Sequence, residues 1–166
     1  QGVFDTKVFE SGSGTAVKLG PGLVVQPVLV PHRAELSDMH AFVVRGPTRS
    51  LLYLPDHDTW AETLAAHGAA SLREWFTALR IDIALLDGTF WSASELPPER
   101  QGRVPHPPVA LSLEMLGPRL VEAGDPEVYF IHLNHTNPVH REDSEEYQRV
   151  IELGWGVCSQ GQQFVL

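Results

Sequence analysis

The apolar residues of this chain fall into short runs, each closed by a polar side chain, a proline or a glycine. Residues 23–30, LVVQPVLV, and 41–46, AFVVRG, are β-branched runs that predict strands. Pro27 has no amide to give a ladder and assigns the first of them to an edge. The turn RGPTRS leads into a third strand at 51–56, LLYLPD. Residues 58–80 alternate helical spacing with alanine and glycine. Within them Ser71-Leu72-Arg73-Glu74 has the form of a capping box, which predicts a second helix carrying Trp75, Phe76 and Leu79 on its apolar positions. Residues 81–90, IDIALLDGTF, read as a buried strand closed by an Asp-Gly turn, and 127–134, EVYFIHLN, as another central strand. A helix over 109–123 breaks near Gly117-Pro118. Asp143-x-x-Glu146 caps a further helix that runs to about Leu153, with Gly154 just past its end. The Gly/Ser-rich stretch 11–22 reads as a turn or exposed loop, and residues 155–166 as two short strands around a glycine turn.

Strands and helices alternate, which predicts α/β layering. Three of the runs, YLPD, LLDGT and IHLNH, end on a polar side chain at the C-terminal end of a strand. Ligands of open α/β sheets sit in the crevice outside those ends, so the three termini are expected to converge on one site. The proline-dense stretch 94–108, SELPPERQGRVPHPP, is too long and polar for a simple connection and reads as a functional loop.

Composition narrows the classes. A chain of 166 residues is the size of one domain, and we expect residues 1–166 to form a single domain or part of one. The net charge of −9 disfavours nucleic acid, because no basic stripe interrupts the acidic excess. No apolar run approaches the roughly 18 residues of a membrane span. One cysteine, Cys158, excludes an internal disulfide and a cysteine-based metal cluster, and points to a reducing, cytoplasmic setting. The first ten residues carry no secretory signal pattern and no initiator methionine.

Eight histidines make metal ligation the chemistry to look for. His32, after the apolar run VVQPVLVP, Asp56 of YLPD and His132 of FIHLNHTNP each stand at a strand end. Two imidazoles and a carboxylate suit zinc, iron or manganese, all of which accept N/O donors. His132 and His135 are three residues apart, so in an extended segment they point to opposite faces; His132, on the strand, is the expected ligand. Asp87 of LLDGT is either a turn-forming aspartate or a carboxylate that orients a metal-bound histidine. His106, between prolines in VPHPP, is a candidate general acid. His57 and Asp58 read as a solvated helix start, and His40, His67 and His140 have no supporting context.

VPHRAELSDMHAFVVRG, LLYLPDHDTW, IDIALLDGTFWSASELP, VPHP and FIHLNHTNP together resemble the coenzyme PQQ biosynthesis protein B family of the metallo-β-lactamase superfamily, from about Val24 to Leu166. The resemblance implies a metallo-β-lactamase-like αββα sandwich, of which this chain supplies roughly the second half as a mixed sheet flanked by helices. It implies metal-ligand roles for His32, for Asp56 as a bridging carboxylate and for His132 as the last metal-binding histidine. Asp87 then falls on an acidic motif of tRNase Z-type relatives, and His106 in the region of their catalytic histidine. The superfamily's His-x-His-x-Asp-His cluster does not occur in the chain.

That departure leaves two expectations: a piece of a longer protein, or a half-domain that pairs with a complementing chain or forms a homo-oligomer. The expected function is metal-dependent hydrolase or iron-dependent hydroxylase chemistry on a small or peptide-derived substrate. The alternatives are a non-catalytic binding or assembly partner and, less favoured by the acidic charge, a phosphodiesterase of tRNase Z type.

Overall fold

A computed structural model describes residues 14–33, 38–97, 99 and 104–166. Parts of the 11–22 and 94–108 stretches, and the first ten residues with their signal reading, therefore lie outside the described residues.

Seven strands form one sheet in chain order. They are β1 Val17–Gly20, β2 Leu23–Val30, β3 Met39–Arg45, β4 Ser50–Leu54, β5 Ile83–Asp87, β6 Glu127–Ile131 and β7 Gly156–Val157. The first four pair antiparallel, and β4 to β7 pair parallel. Each parallel step needs a crossover, and the intervening segments supply helices. These are α1 Trp60–Ala66 and α2 Leu72–Leu79 before β5, α3 Val109–Leu116 before β6, and α4 Glu145–Glu152 before β7. The result is the mixed α/β arrangement that the alternating pattern predicts.

Strand periodicity divides the sheet into two faces. Val28, Val43, Leu54, Leu86 and Phe130 point into one large core with Trp60, Trp75, Phe76, Leu113 and Val150 of the helices. The intervening positions Leu51, Ile83 and Leu85 form a second, smaller cluster with Tyr129, Ile131, Phe164 and Leu166. On that second face a cross-strand row runs Pro27, Phe42, Tyr53, Leu85, Tyr129. Phe42 and Tyr53 in it are 40% and 41% exposed. A parallel sheet ordinarily buries both faces, so this apolar side is only partly covered.

Local chemistry explains most element ends. The Ser71 hydroxyl accepts from the Glu74 amide, as the capping box requires, and Thr59 caps α1 in the same way. The last helix is capped by Ser144, one residue after the predicted Asp143, because Ser144 accepts from the Tyr147 amide. Gly154 stands at the C′ position with φ of 82°, as expected.

Three readings change. Residues 17–20 of the expected loop pair with β2 as an edge strand. The C-terminal segment contributes only the two-residue β7, after which Phe164 and Leu166 pack as side chains on the second face. Pro27 lies in β2, next to the edge, rather than on the edge strand itself. Its carbonyl accepts from the Gly14 amide on the outer side, so its missing N–H faces away from β3 and costs no ladder bond.

Candidate metal centre

Antiparallel β3 lies between β2 and β4, so β2 runs in the same direction as the parallel strands β4, β5 and β6. Their C-terminal ends therefore share one edge of the sheet. His32 follows β2, Asp56 follows β4, Asp87 ends β5 and His132 follows β6. The topology thus returns every one of these polar termini to the same side of the sheet.

Asp56 occupies the middle. Its Oδ2 is 3.7 Å from His32 Nε2 and its Oδ1 is 3.3 Å from His106 Nδ1. Oδ1 is buried yet engages no hydrogen bond, since the His106 N–H is directed to Asp87 Oδ2 at 2.7 Å instead. A buried carboxylate oxygen without a donor is costly and calls for a cation. On the other side of His32, Nδ1 bonds Asp58 Oδ1 at 2.8 Å. That fixes the ring and leaves Nε2 toward Asp56. Asp58 is thus a partner of His32 and not part of a solvated helix start.

Asp87 is fully buried and forms the expected turn with one oxygen, while the other holds a histidine ring. Oδ1 accepts from the Thr89 amide at 2.9 Å and the Thr89 hydroxyl at 2.7 Å, forming the Asp-Gly turn. Oδ2 takes the His106 Nδ1–H at 2.7 Å and, more weakly, the His57 amide at 3.4 Å. His106 reaches this position because Phe90 and Trp91 carbonyls accept from Val109 and Ala110, folding the proline-rich return against the turn. Its side chain is 6% exposed. Burial disfavours the charged ring, but the hydrogen bond to Asp87 and the charges of Asp87 and Asp56 outweigh it and raise the His106 pKa above the ordinary value.

His132 differs from its expected setting. The strand ends at Ile131, and His132 takes the left-handed conformation with φ of 59°. Such a conformation costs a non-glycine residue about 1–2 kcal/mol and persists only where the surroundings impose it. Here the 88–89 turn and the 131–137 loop clamp each other. Gly88 donates to the Ile131 carbonyl at 2.9 Å, Asn134 donates to the Thr89 carbonyl at 3.0 Å, and the buried Asn137 side chain donates to the Gly88 carbonyl at 2.7 Å. A Cβ on Gly88 would meet the Ile131 oxygen and a Leu133 methyl at 2.9 Å, so only glycine allows the approach. His132 Nδ1 lies 2.9 Å from the Thr89 hydroxyl, and His135 is exposed.

Donor atoms of Asp87, His106 and His132 lie within 4.8 Å of one another, a spacing one divalent ion can bridge. Asp87 is the least free of the three, because four donors already use its oxygens. Asp56 stands outside this group, with Oδ2 near His32 and the unused Oδ1 near His106, so among the described residues His132 groups with Asp87 and His106 and not, as expected, with His32 and Asp56. Sequence reading missed the buried His57. Its Nδ1 bonds the Thr63 hydroxyl at 2.9 Å, its ring meets Trp60 edge-on, and its Nε2 has no partner. Desolvation lowers its pKa from 6.5 to about 4 against the opposing charge of Asp87. A helix-start spacing gave no sign of this, because only packing under α1 removes the ring from water.

The mixed sheet with its helices defines the class: this chain has the metallo-β-lactamase fold over roughly half of that fold's extent. It is similar to the Zn(2+)-bound PqqB of Methylobacterium extorquens at 24% identity and a TM-score of 0.65, covering 94% of this chain and 55% of that one. Igni18, described as a novel metallo hydrolase from Ignicoccus hospitalis, matches at 18% identity and a TM-score of 0.55, over 93% of this chain and 58% of that one. The metallo-beta-lactamase fold protein YhfI from Bacillus subtilis matches at 12% identity and a TM-score of 0.53, over 89% and 49%. The chain thus spans about half the length of the structures it matches. No family model and no curated protein matches the sequence.

Proposed function

We propose that His32, Asp56 and His132 hold a divalent metal, zinc, iron or manganese, and that the site serves a metal-dependent hydrolase or hydroxylase reaction on a small or peptide-derived substrate. The observation that carries this reading is Asp56 Oδ1, buried, unbonded and 3.3 Å from His106 Nδ1. The Zn(2+)-bound PqqB structure, similar in fold, supports a metal in this class of site. When bound, such an ion lowers the pKa of a coordinated water and polarises a substrate oxygen. Three protein ligands suffice for a catalytic zinc.

The remaining groups have separable tasks. Asp58 holds the His32 ring by Nδ1, which keeps Nε2 available. Asp87 anchors His106 at Nδ1, so His106 carries its exchangeable proton at Nε2 and, with its raised pKa, suits the role of general acid. His32 and Asp56 are about a quarter exposed, so the cluster opens to solvent at the sheet edge.

A second reading rests on the half-covered sheet face. Phe42 and Tyr53 present an apolar row suited to a complementing chain or a second copy, with the donor cluster as a remnant. Zinc titration of the chelator-treated chain by calorimetry separates the two. We expect binding by the native sequence and at least 100-fold weaker binding by Asp56→Asn, which keeps the shape and removes the charge. Equal affinity in Asp56→Asn removes Asp56 from the site; no zinc, iron or manganese binding at all leaves the sheet face as the functional surface.

A further inference from the structure

Thr89 lies at the junction of the site, and the geometry points to it as the positioning residue that sets the tautomer of His132. Its hydroxyl is 2.7 Å from Asp87 Oδ1, 2.9 Å from His132 Nδ1 and 3.2 Å from His106 Nδ1. A hydroxyl has one proton to give and lone pairs to accept with. The carboxylate is the shortest contact and the only anionic one, and charge-assisted bonds are roughly twice as strong as neutral ones. The Thr89 proton therefore goes to Asp87. His132 must then donate from Nδ1, which leaves the lone pair on Nε2.

Asp87 thus orders two histidines at once, His106 directly and His132 through Thr89. Threonine suits the task better than a freely rotating hydroxyl. Its branched Cβ restricts χ1, the residue is 7% exposed, and both of its main-chain groups are engaged, the amide by Asp87 and the carbonyl by Asn134. His132 in turn depends on outside support, because its φ of 59° is not one that histidine adopts by preference. The same pattern recurs at His32, whose Nδ1 is held by Asp58. Each histidine of the cluster is therefore fixed through Nδ1.

The tautomer assignment stands on this chain alone, while its consequence for metal affinity rests on the proposed metal site. The test is the imidazole nitrogen NMR spectrum of the chelator-treated chain, at a pH where the rings are neutral, with His132 identified by the loss of its signals in His132→Gln. We expect His132 protonated at Nδ1 in the native chain. In Thr89→Val the signals should revert to the Nε2–H form that predominates in free imidazole side chains, and Thr89→Ser should restore the native pattern. Zinc affinity should fall about 10–100-fold in Thr89→Val and recover in Thr89→Ser. A native His132 protonated at Nε2 overturns the inference without any variant. An unchanged Nδ1–H form in folded Thr89→Val does so as well. A native chain with the expected tautomer but no zinc binding upholds Thr89 and refutes the metal site.

Discussion

His57 makes the stability of the metal-free protein depend on pH in a way that can be worked out from its burial. The ring is 0% exposed, its Nε2 has no partner, and its pKa falls from 6.5 to about 4 because desolvation penalises the charged form. In the unfolded chain the same ring titrates near 6.5. Above that value it is neutral in both states and contributes no pH dependence. As the pH falls below 6.5 the unfolded state takes up the proton first, so stability declines until the folded ring also titrates near 4. A gap of about 2.5 pH units, at about 1.4 kcal/mol each, gives a total loss of about 3.5 kcal/mol, of which about 2 kcal/mol has gone by pH 5. His106 has the opposite sign: its raised pKa adds stability that is full at acid pH and is lost as the pH rises through the folded value. Urea unfolding of the chelator-treated chain at pH 7, 6 and 5, in parallel with His57→Asn, isolates the His57 part, since His106 and the carboxylates act in both proteins. The native chain should lose about 2 kcal/mol more than the variant between pH 7 and pH 5. Parallel curves for the two proteins would falsify the assignment of His57 as a ring buried in its neutral form.

Two further outcomes follow from close contacts. Gly88→Ala places a methyl 2.9 Å from the Ile131 oxygen and a Leu133 methyl, so it should cost at least 1–3 kcal/mol and release the 131–137 loop. Thermal unfolding measures the first effect and amide exchange of Asn134 the second; a Gly88→Ala protein as stable as the native one would contradict the clamp. Ser112→Ala removes the acceptor of the buried Trp60 indole N–H, now 2.8 Å away, and should cost about 1–3 kcal/mol with the sheet edge unaffected. A loss below about 0.5 kcal/mol would show that Trp60 finds another partner.

Several elements can be read directly from the residues because their signals are local. The strand β2 matches its predicted bounds, and Ser71 caps α2 through the expected amide. Glycine ends the helices at Gly117 and Gly154. Each depends on side chains within four residues of one another. β1 escapes this reading, since a glycine-rich segment becomes a strand only through pairing with β2. The short β7 reflects the reverse case, where apolar residues 164 and 166 serve packing and not pairing.

The candidate site divides along the same line. Residue types at strand ends determined that His32, Asp56, Asp87 and His132 belong to one edge, because topology with a common strand direction collects C-termini there. Local sequence also determined the Asp87 turn. Only the tertiary structure decided which atoms are spent and which are free. Asp58 against His32, Thr89 against His132, and His57 against Thr63 beneath α1 join residues from 6 to 43 positions apart. Burial and hydrogen-bond partnership at such separations depend on how the layers pack. A linear pattern therefore places a donor at the site but does not show whether its lone pair is already used.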